Sequence, residues 1–427
     1  MKLKYSLTAL LVVAVVLLGG CSLNQNSSEL LHPPKTTGNE AEIEQLIEST
    51  AKDSYTLKYP RSGEYRSAIV TNDFDKDGND EAIAFYRTNN STTNMLIMRD
   101  TKDGYKICCN YEAQYTDIDC LQFADYDFDG VDEILVGFVT YTSGVNELVV
   151  FDYNSDKGSA EAIELSTKYS SFTTGDYDRD GSKEIMLVAL ASADTKAKAT
   201  LIDYDKNQLY KQSSCSLDSN VTKIENVQSD FIEDGIMAVV VDGFISETYN
   251  TQVIVFNDSK LQIEVCATTK ERTQSIKSCD IDDDGFVEIP EISSSPMPKK
   301  ADTKVATPMI TWYGYSGEDS STAFVPNVYS FGNFEYSYSF ILPEKMAQST
   351  MAVTSADSKT MKIYHLNNNK QGDLILTFKV FDSDSTSNKG SNYTTLRSIN
   401  RLDYCYSISD TAYMDDDTVK ENFTPFS

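Results

Sequence analysis

Residues 175–185 read GDYDRDGSKEI, placing Asp176, Asp178 and Asp180 on alternate positions, then Gly181, then Glu184. Carboxylates this close repel one another unless a positive charge sits among them. In a D-x-D-x-D-G-x-x-E stretch the carboxylates at positions 1, 3, 5 and 9 can converge. Position 7 adds a main-chain carbonyl, and glycine at position 6 takes a turn that a Cβ would resist. Oxygen donors without nitrogen or sulfur suit a hard cation that takes about six to eight ligands, which favours Ca²⁺ over the more strongly hydrated Mg²⁺.

The same pattern starts at Asp73, Asp125 and Asp280, and a degenerate copy keeps Asp230, Asp234 and Gly235 but has Ile232 and Ala238 in place of acids. In chain order the steps between copies are 52, 51, 54 and 50 residues. A second register repeats in phase: apolar runs ending at Asp100, Asp152, Asp203 and Asn257 are spaced by 52, 51 and 54. Acids and glycines on one turn are ordinary turn chemistry. Full copies in step with an independent strand marker indicate a structural repeat built around cation loops. The degenerate copy, short of two carboxylates, is expected to hold no metal.

Each unit reads as four strands: a short one before the acidic loop, an almost continuous apolar run after it, the marker strand, and a mixed outer strand. A run that is apolar on both alternating faces is a strand covered on both sides. About fifty residues per four strands therefore predicts an all-β fold, a β-propeller whose inner strands are buried between neighbouring blades. The marker persists near Gly314 and Asn367. The span from 54 to 427 holds roughly seven units, within the four to eight blades that propellers usually have. Seven blades are expected, with six as the alternative, and YTLKYP near residue 55 is a candidate to complete the last blade. An EF-hand does not fit, because position 12 is Ala84, Val136 and Leu187 in three loops. In the fourth it is Glu291, but the flanks read as strands and Pro290 precedes it.

This constellation resembles the FG-GAP/VCBS repeat family, whose integrin α-subunit relatives form seven-bladed propellers with Ca²⁺ in blade loops. The resemblance spans residues 66 to about 290. It implies about four Ca²⁺ sites, on the face opposite the ligand. The first is Asp73, Asp75, Asp77, Asn79 and Glu81; the second Asp125, Asp127, Asp129, Val131 and Glu133. The third is Asp176, Asp178, Asp180, Ser182 and Glu184; the fourth Asp280, Asp282, Asp284, Phe286 and Glu288. Asn79, Val131, Ser182 and Phe286 are implied to bind through their carbonyls.

Ahead of the repeats, residues 1–21 carry Lys2 and Lys4, an apolar stretch from Leu7 to Leu18, and the ending LGGC. That is an export signal, too short for a comfortable membrane span. Its end resembles the bacterial lipobox, which implies a lipid on Cys21 and a protein anchored in the membrane at the extracytoplasmic face of a bacterial envelope. Residues 22–38 read as a flexible tether, and 39–53 as a short helix with Ile43, Leu46 and Ile47 on one face. The net charge of −28 excludes nucleic acid as a partner, because phosphates need Lys and Arg. Seven cysteines beyond Cys21 leave at least one unpaired, and their positions on equivalent strands favour buried thiols over a disulfide framework.

Catalytic residues are scarce. The only histidines are His32, in the tether, and His365, within a strand. These residues favour a module that binds an envelope protein or glycan over the alternative, a secreted glycan hydrolase or lyase on a propeller scaffold. Phe334, Tyr336, Tyr338 and Phe340 alternate as along one strand, most simply a face packed on a neighbouring blade. Trp312, Tyr313 and Tyr315 nearby are the candidate ligand platform.

Overall fold

The computed structural model describes residues 39–426 except 53, 90–92, 127–128, 143, 193–195, 206–207, 258–259, 265–271, 294–303, 318–322, 369 and 384–391. The signal, Cys21 and the tether lie outside that set. The expected helix runs Asn39–Ala51. Among the described residues no helix is long and apolar enough to cross a membrane.

Apart from a six-residue α-helix, Asp416–Glu421, the rest is a propeller architecture of antiparallel sheets taken in chain order. The first sheet holds Tyr55–Leu57, Ile69–Asn72, Glu81–Thr88, Thr93–Arg99 and Lys106–Ala113. The second is Asp117–Ala124, Glu133–Val139, Asn146–Asn154 and Ser159–Tyr169, and the third is Ser171–Gly175, Glu184–Ala189, Lys198–Asp205 and Gln208–Ser216. The fourth is Lys223–Glu233, Ile236–Ile245, Thr248–Asn257 and Lys260–Glu264. The apolar runs following the acidic loops are the second strands, buried on both faces as their patterning requires.

Each sheet packs on the next. Phe85 and Ile97 of the first meet Val136 and Phe151 of the second. Leu135 and Val150 meet Ile185 and Ile202, and Val188 and Leu201 meet Val239 and Ile254. The other face of the first sheet, with Ala84, Leu96 and Met98, is covered by Ile43 and Ile47 of the helix.

The last third departs from the expected seven units. Six sheets form among the described residues. The fifth is Ile289–Ser293, Met309–Tyr315, Phe324–Asn333 and Tyr338–Ile341, with C-terminal Phe423–Pro425 added at its edge. The sixth is Lys304–Ala306, Thr350–Ser355, Thr360–Asn367, Lys370–Asp382, Leu402–Ile408 and Thr394–Ile399. The segment expected to supply one more unit, around residues 391–410, instead extends the sixth sheet by two strands. Tyr55–Leu57 does not complete the last blade either. It pairs with Tyr86–Thr88 of the first sheet, continuing the edge begun by Ile69–Asn72.

The aromatic alternation also resolves differently. Residues 334–337 form a turn, so Phe334 and Tyr336 do not share a strand with Tyr338 and Phe340. Tyr338 and Phe340 are fully buried against Phe378 between the fifth and sixth sheets. The six described cysteines are unpaired; Cys120 and Cys405 are buried and the other four half-buried, while Cys266 lies outside the described residues.

Candidate metal centres

The first three acidic loops connect the first and second strands of their sheets, the fourth leads into the first strand of the fifth sheet, and each is closed by one antiparallel residue pair. Asn72 faces Glu81, Ala124 faces Glu133, Gly175 faces Glu184, and Cys279 faces Glu288. The ninth-position glutamate is the first residue of a buried strand in the first three copies and directly precedes one, Ile289–Ser293, in the fourth; it is nearly inaccessible in all four, at 2, 1, 0 and 1% exposure. The loop folds back over it. Position 6 is left-handed in all four, with φ of +91° at Gly78, +90° at Gly130, +98° at Gly181 and +91° at Gly285. Position 4 is left-handed too, at Lys76, Arg179 and Asp283, an unfavourable conformation for residues with a Cβ. Strain of about 1–2 kcal/mol per such residue survives only where surroundings hold it.

Main-chain amides organise the carboxylates. Gly78 N donates to Asp73 Oδ2 at 3.1 Å, Gly130 N to Asp125 Oδ2 at 3.2 Å, and Gly285 N to Asp280 Oδ2 at 2.8 Å. One oxygen of the buried glutamate accepts from the position-2 amide: Tyr126 N to Glu133 at 2.7 Å, Tyr177 N to Glu184 at 2.8 Å, Ile281 N to Glu288 at 3.1 Å. Position 7 donates its N–H to the position-5 carboxylate, from Asn79, Val131, Ser182 and Phe286 at 2.8–2.9 Å.

The third loop draws its set together most completely. Asp176, Asp178, Asp180 and Glu184 each present an oxygen within 4.8 Å of the others. The first brings together Asp73, Asp75 and Glu81, and the fourth Asp280, Asp282 and Glu288. Asp77 and Asp284 fall outside those two groups. Asp77 also accepts from its neighbour's side-chain amide, at 2.9 Å. In the second loop Asp127 lies outside the described residues, while Asp125, Asp129 and Glu133 keep the hydrogen bonds above. Two contacts of the third loop were not foreseen, one of them by the side chain of Ser182, which was expected to act through its carbonyl. The Ser182 hydroxyl donates to Asp180 at 2.5 Å, and Gln212 of the outer strand donates to Asp178 Oδ2 at 2.9 Å. Neither belongs to the spacing of acids that reveals the motif.

Burial and mutual repulsion work against the charged carboxylates of these loops. Burial, then the charges of Asp75, Asp77 and Asp73, push the Glu81 carboxyl up to about 7. Glu184 rises to about 7 and Glu288 to about 8, both led by burial, with nearby aspartates adding to it. Asp75 and Asp282 are raised for the same two reasons. A cation among these oxygens would favour the ionised forms that burial disfavours. The donor geometry fits one: Asp73 Oδ1, Glu81 Oε2, Asp125 Oδ1 and Asp176 Oδ1 are buried and accept no hydrogen bond. Buried acceptors without a donor are costly. An all-oxygen set with such orphans suits Ca²⁺.

The degenerate copy is not a loop. Lys223–Glu233 runs on as a strand through Asp230, which pairs with Ala238, and Asp234–Gly235 closes a tight hairpin with Glu233 opposite Ile236. Further along that hairpin sits a buried ion pair that the sequence did not announce. Arg272 Nη2 donates to Asp242 Oδ1 at 2.9 Å, the side chains being 3% and 1% exposed. Asp242 also accepts from the Thr251 hydroxyl at 2.6 Å and from Ser278 N and Oγ at 2.9 Å. Arg272 Nη1 reaches Thr251 and the Pro290 carbonyl. Its one sequence signal is an aspartate at the end of a fully apolar run.

The expected aromatic platform does not form. Trp312 is fully buried and its indole N–H donates to Ser330 Oγ at 2.9 Å, so it cannot receive a ligand from outside. Tyr313 and Tyr315 pack, half-buried, against the core between the fourth and fifth sheets, Tyr315 edge-on to Phe324. His365 Nε2 lies 3.1 Å from Asp410 Oδ2, with the Tyr413 ring edge-on at 4.3 Å.

No family model matches the chain, and no curated protein matches it significantly. Among solved structures, one described as the structure of the Dos1 propeller is 11% identical, with a TM-score of 0.32, covering 84% of this chain and 82% of that one. An overlap that low adds nothing to the sheet topology.

Proposed function

We propose that this chain is a calcium-stiffened β-propeller that works outside the cytoplasm as a binding or scaffold module, held at a bacterial envelope by a lipid on Cys21. The observation that carries the calcium reading is the set of buried carboxylate oxygens at Asp73, Glu81, Asp125 and Asp176 that accept no hydrogen bond. The anchor rests on the lipobox-like ending at Cys21 and the tether after it. With Trp312 buried, the candidate platform for a sugar or a protein ligand is withdrawn. The partner remains an envelope protein or a glycan, and capture from the envelope decides between them.

Calorimetric titration of the chelator-stripped chain tests the metal reading. About four calcium ions per chain are expected, and a flat isotherm would sink it. Capture from the chain's own envelope, with and without calcium, tests the module. One partner retained unchanged supports it; turnover of an envelope glycan by the purified chain would replace it with an enzyme.

A further inference from the structure

We propose that Asp132, at the non-ligating eighth position of the second loop, is a positioning residue for the first ion site, which is therefore built by two sheets rather than one. The inference rests on the calcium reading and deepens it.

Two contacts carry it. Asp132 N donates to the Phe74 carbonyl at 2.7 Å, and Phe74 lies between the ligand aspartates Asp73 and Asp75. The Asp132 carboxylate pairs with the Lys76 ammonium, and Lys76 lies between Asp75 and Asp77. Lys76 is also the left-handed residue of that loop, at φ +58°. Both residues that alternate with the ligands are thus held from the neighbouring sheet. The ring of Phe74 is gripped as well, edge-on to Tyr153 of the second sheet at 4.8 Å. That the site is built for a ligand has independent support: Glu81 is 2% exposed and its Oε2 has no donor.

The main-chain link is architectural, for it recurs where the preceding sheet has only a hairpin: Val287 N donates to the Phe231 carbonyl at 2.8 Å. The carboxylate is what distinguishes Asp132. A lysine beside a cation site is a liability, because its charge opposes the ion. Pairing with Asp132 cancels that charge and turns the ammonium toward the second loop. Exposed ion pairs contribute little to folding. Here the carboxylate acts on the ion's affinity instead.

The test is calcium calorimetry on the full chain at low salt. Glu81→Gln identifies the first site as the binding step it abolishes. Asp132→Asn keeps the main-chain N–H and side-chain volume but frees the Lys76 charge. It is expected to weaken that step about fivefold, an effect that shrinks at high salt. Lys76→Gln alone should bind at least as tightly as the unaltered chain, and Lys76→Gln with Asp132→Asn should regain its affinity. A merely structural Asp132 would give a double variant no better than Asp132→Asn. That result, an Asp132→Asn step equal to the unaltered one, or a weakened Lys76→Gln step, would overturn the proposal while leaving calcium binding intact. A chain with no Glu81-dependent step overturns both.

Discussion

Between the third sheet and the fourth, the chain changes how it joins a first strand to a second. In the third, a long acidic loop gathers carboxylate oxygens of Asp176, Asp178, Asp180 and Glu184 within 4.8 Å of one another. In the fourth, a tight hairpin replaces the loop, and the buried carboxylate nearby, Asp242, faces Arg272. On the calcium proposal, one sheet leaves its negative charge for an exchangeable ion, and the next neutralises it with a guanidinium of its own. The difference teaches where stability can be regulated from outside. If the proposed calcium sites hold, the acidic loops should answer to solution calcium, while the Arg272–Asp242 centre, tied to Ser278 just before the fourth loop, should hold in its absence.

Chelation should break the comparison most visibly. An occupied site contributes about 2.7 kcal/mol when calcium is a hundredfold above its Kd. Emptying four sites should therefore lower the melting temperature more than any single substitution, and superimposable melts with calcium and with chelator would refute the contrast. Next comes Asp242→Ala. It strands Arg272 in the interior, where its Nε already lacks a partner, and should cost about 3–5 kcal/mol in denaturant unfolding. The calcium count should stay unchanged. Asp178→Ala should do the reverse, removing about one bound ion with a smaller loss of stability in chelator.

The loops were legible because acids and a glycine recur at fixed positions within each, and a propeller repeats them at a fixed step. The sequence of the first four sheets follows that step almost without insertion. Legibility ended where geometry depends on partners distant in the chain. Arg272 meets Asp242 across 30 residues, with no spacing rule to reveal it. Phe423–Pro425 reaches the fifth sheet after the whole of the sixth has formed. Trp312 was misread for a related reason: a large aromatic signals contact area, but whether that area faces solvent or Ile276 and Val328 is a tertiary fact. The degenerate copy was recognised as deficient, while its Asp234–Gly235 pair was read as the remains of a loop rather than as the turn of a hairpin.

The smallest effect sharpens the comparison most, because it uses the same residue type in both settings. Gly285 in the fourth loop and Gly235 in the hairpin are both left-handed, at φ +91° and +67°, and a Cβ added to either meets nothing within 4 Å. Alanine therefore acts at both through the backbone alone, with a cost of about 1–2 kcal/mol. In the hairpin that cost should be the whole effect, the same with calcium and with chelator. In the loop the amide of Gly285 holds Asp280 Oδ2 at 2.8 Å, so a backbone that relaxes to relieve the strain also moves a ligand. Gly285→Ala should then weaken one calcium site and destabilise the chain more with calcium than without. Equal losses for the two variants in both conditions would mean that the loop's shape does not set its affinity.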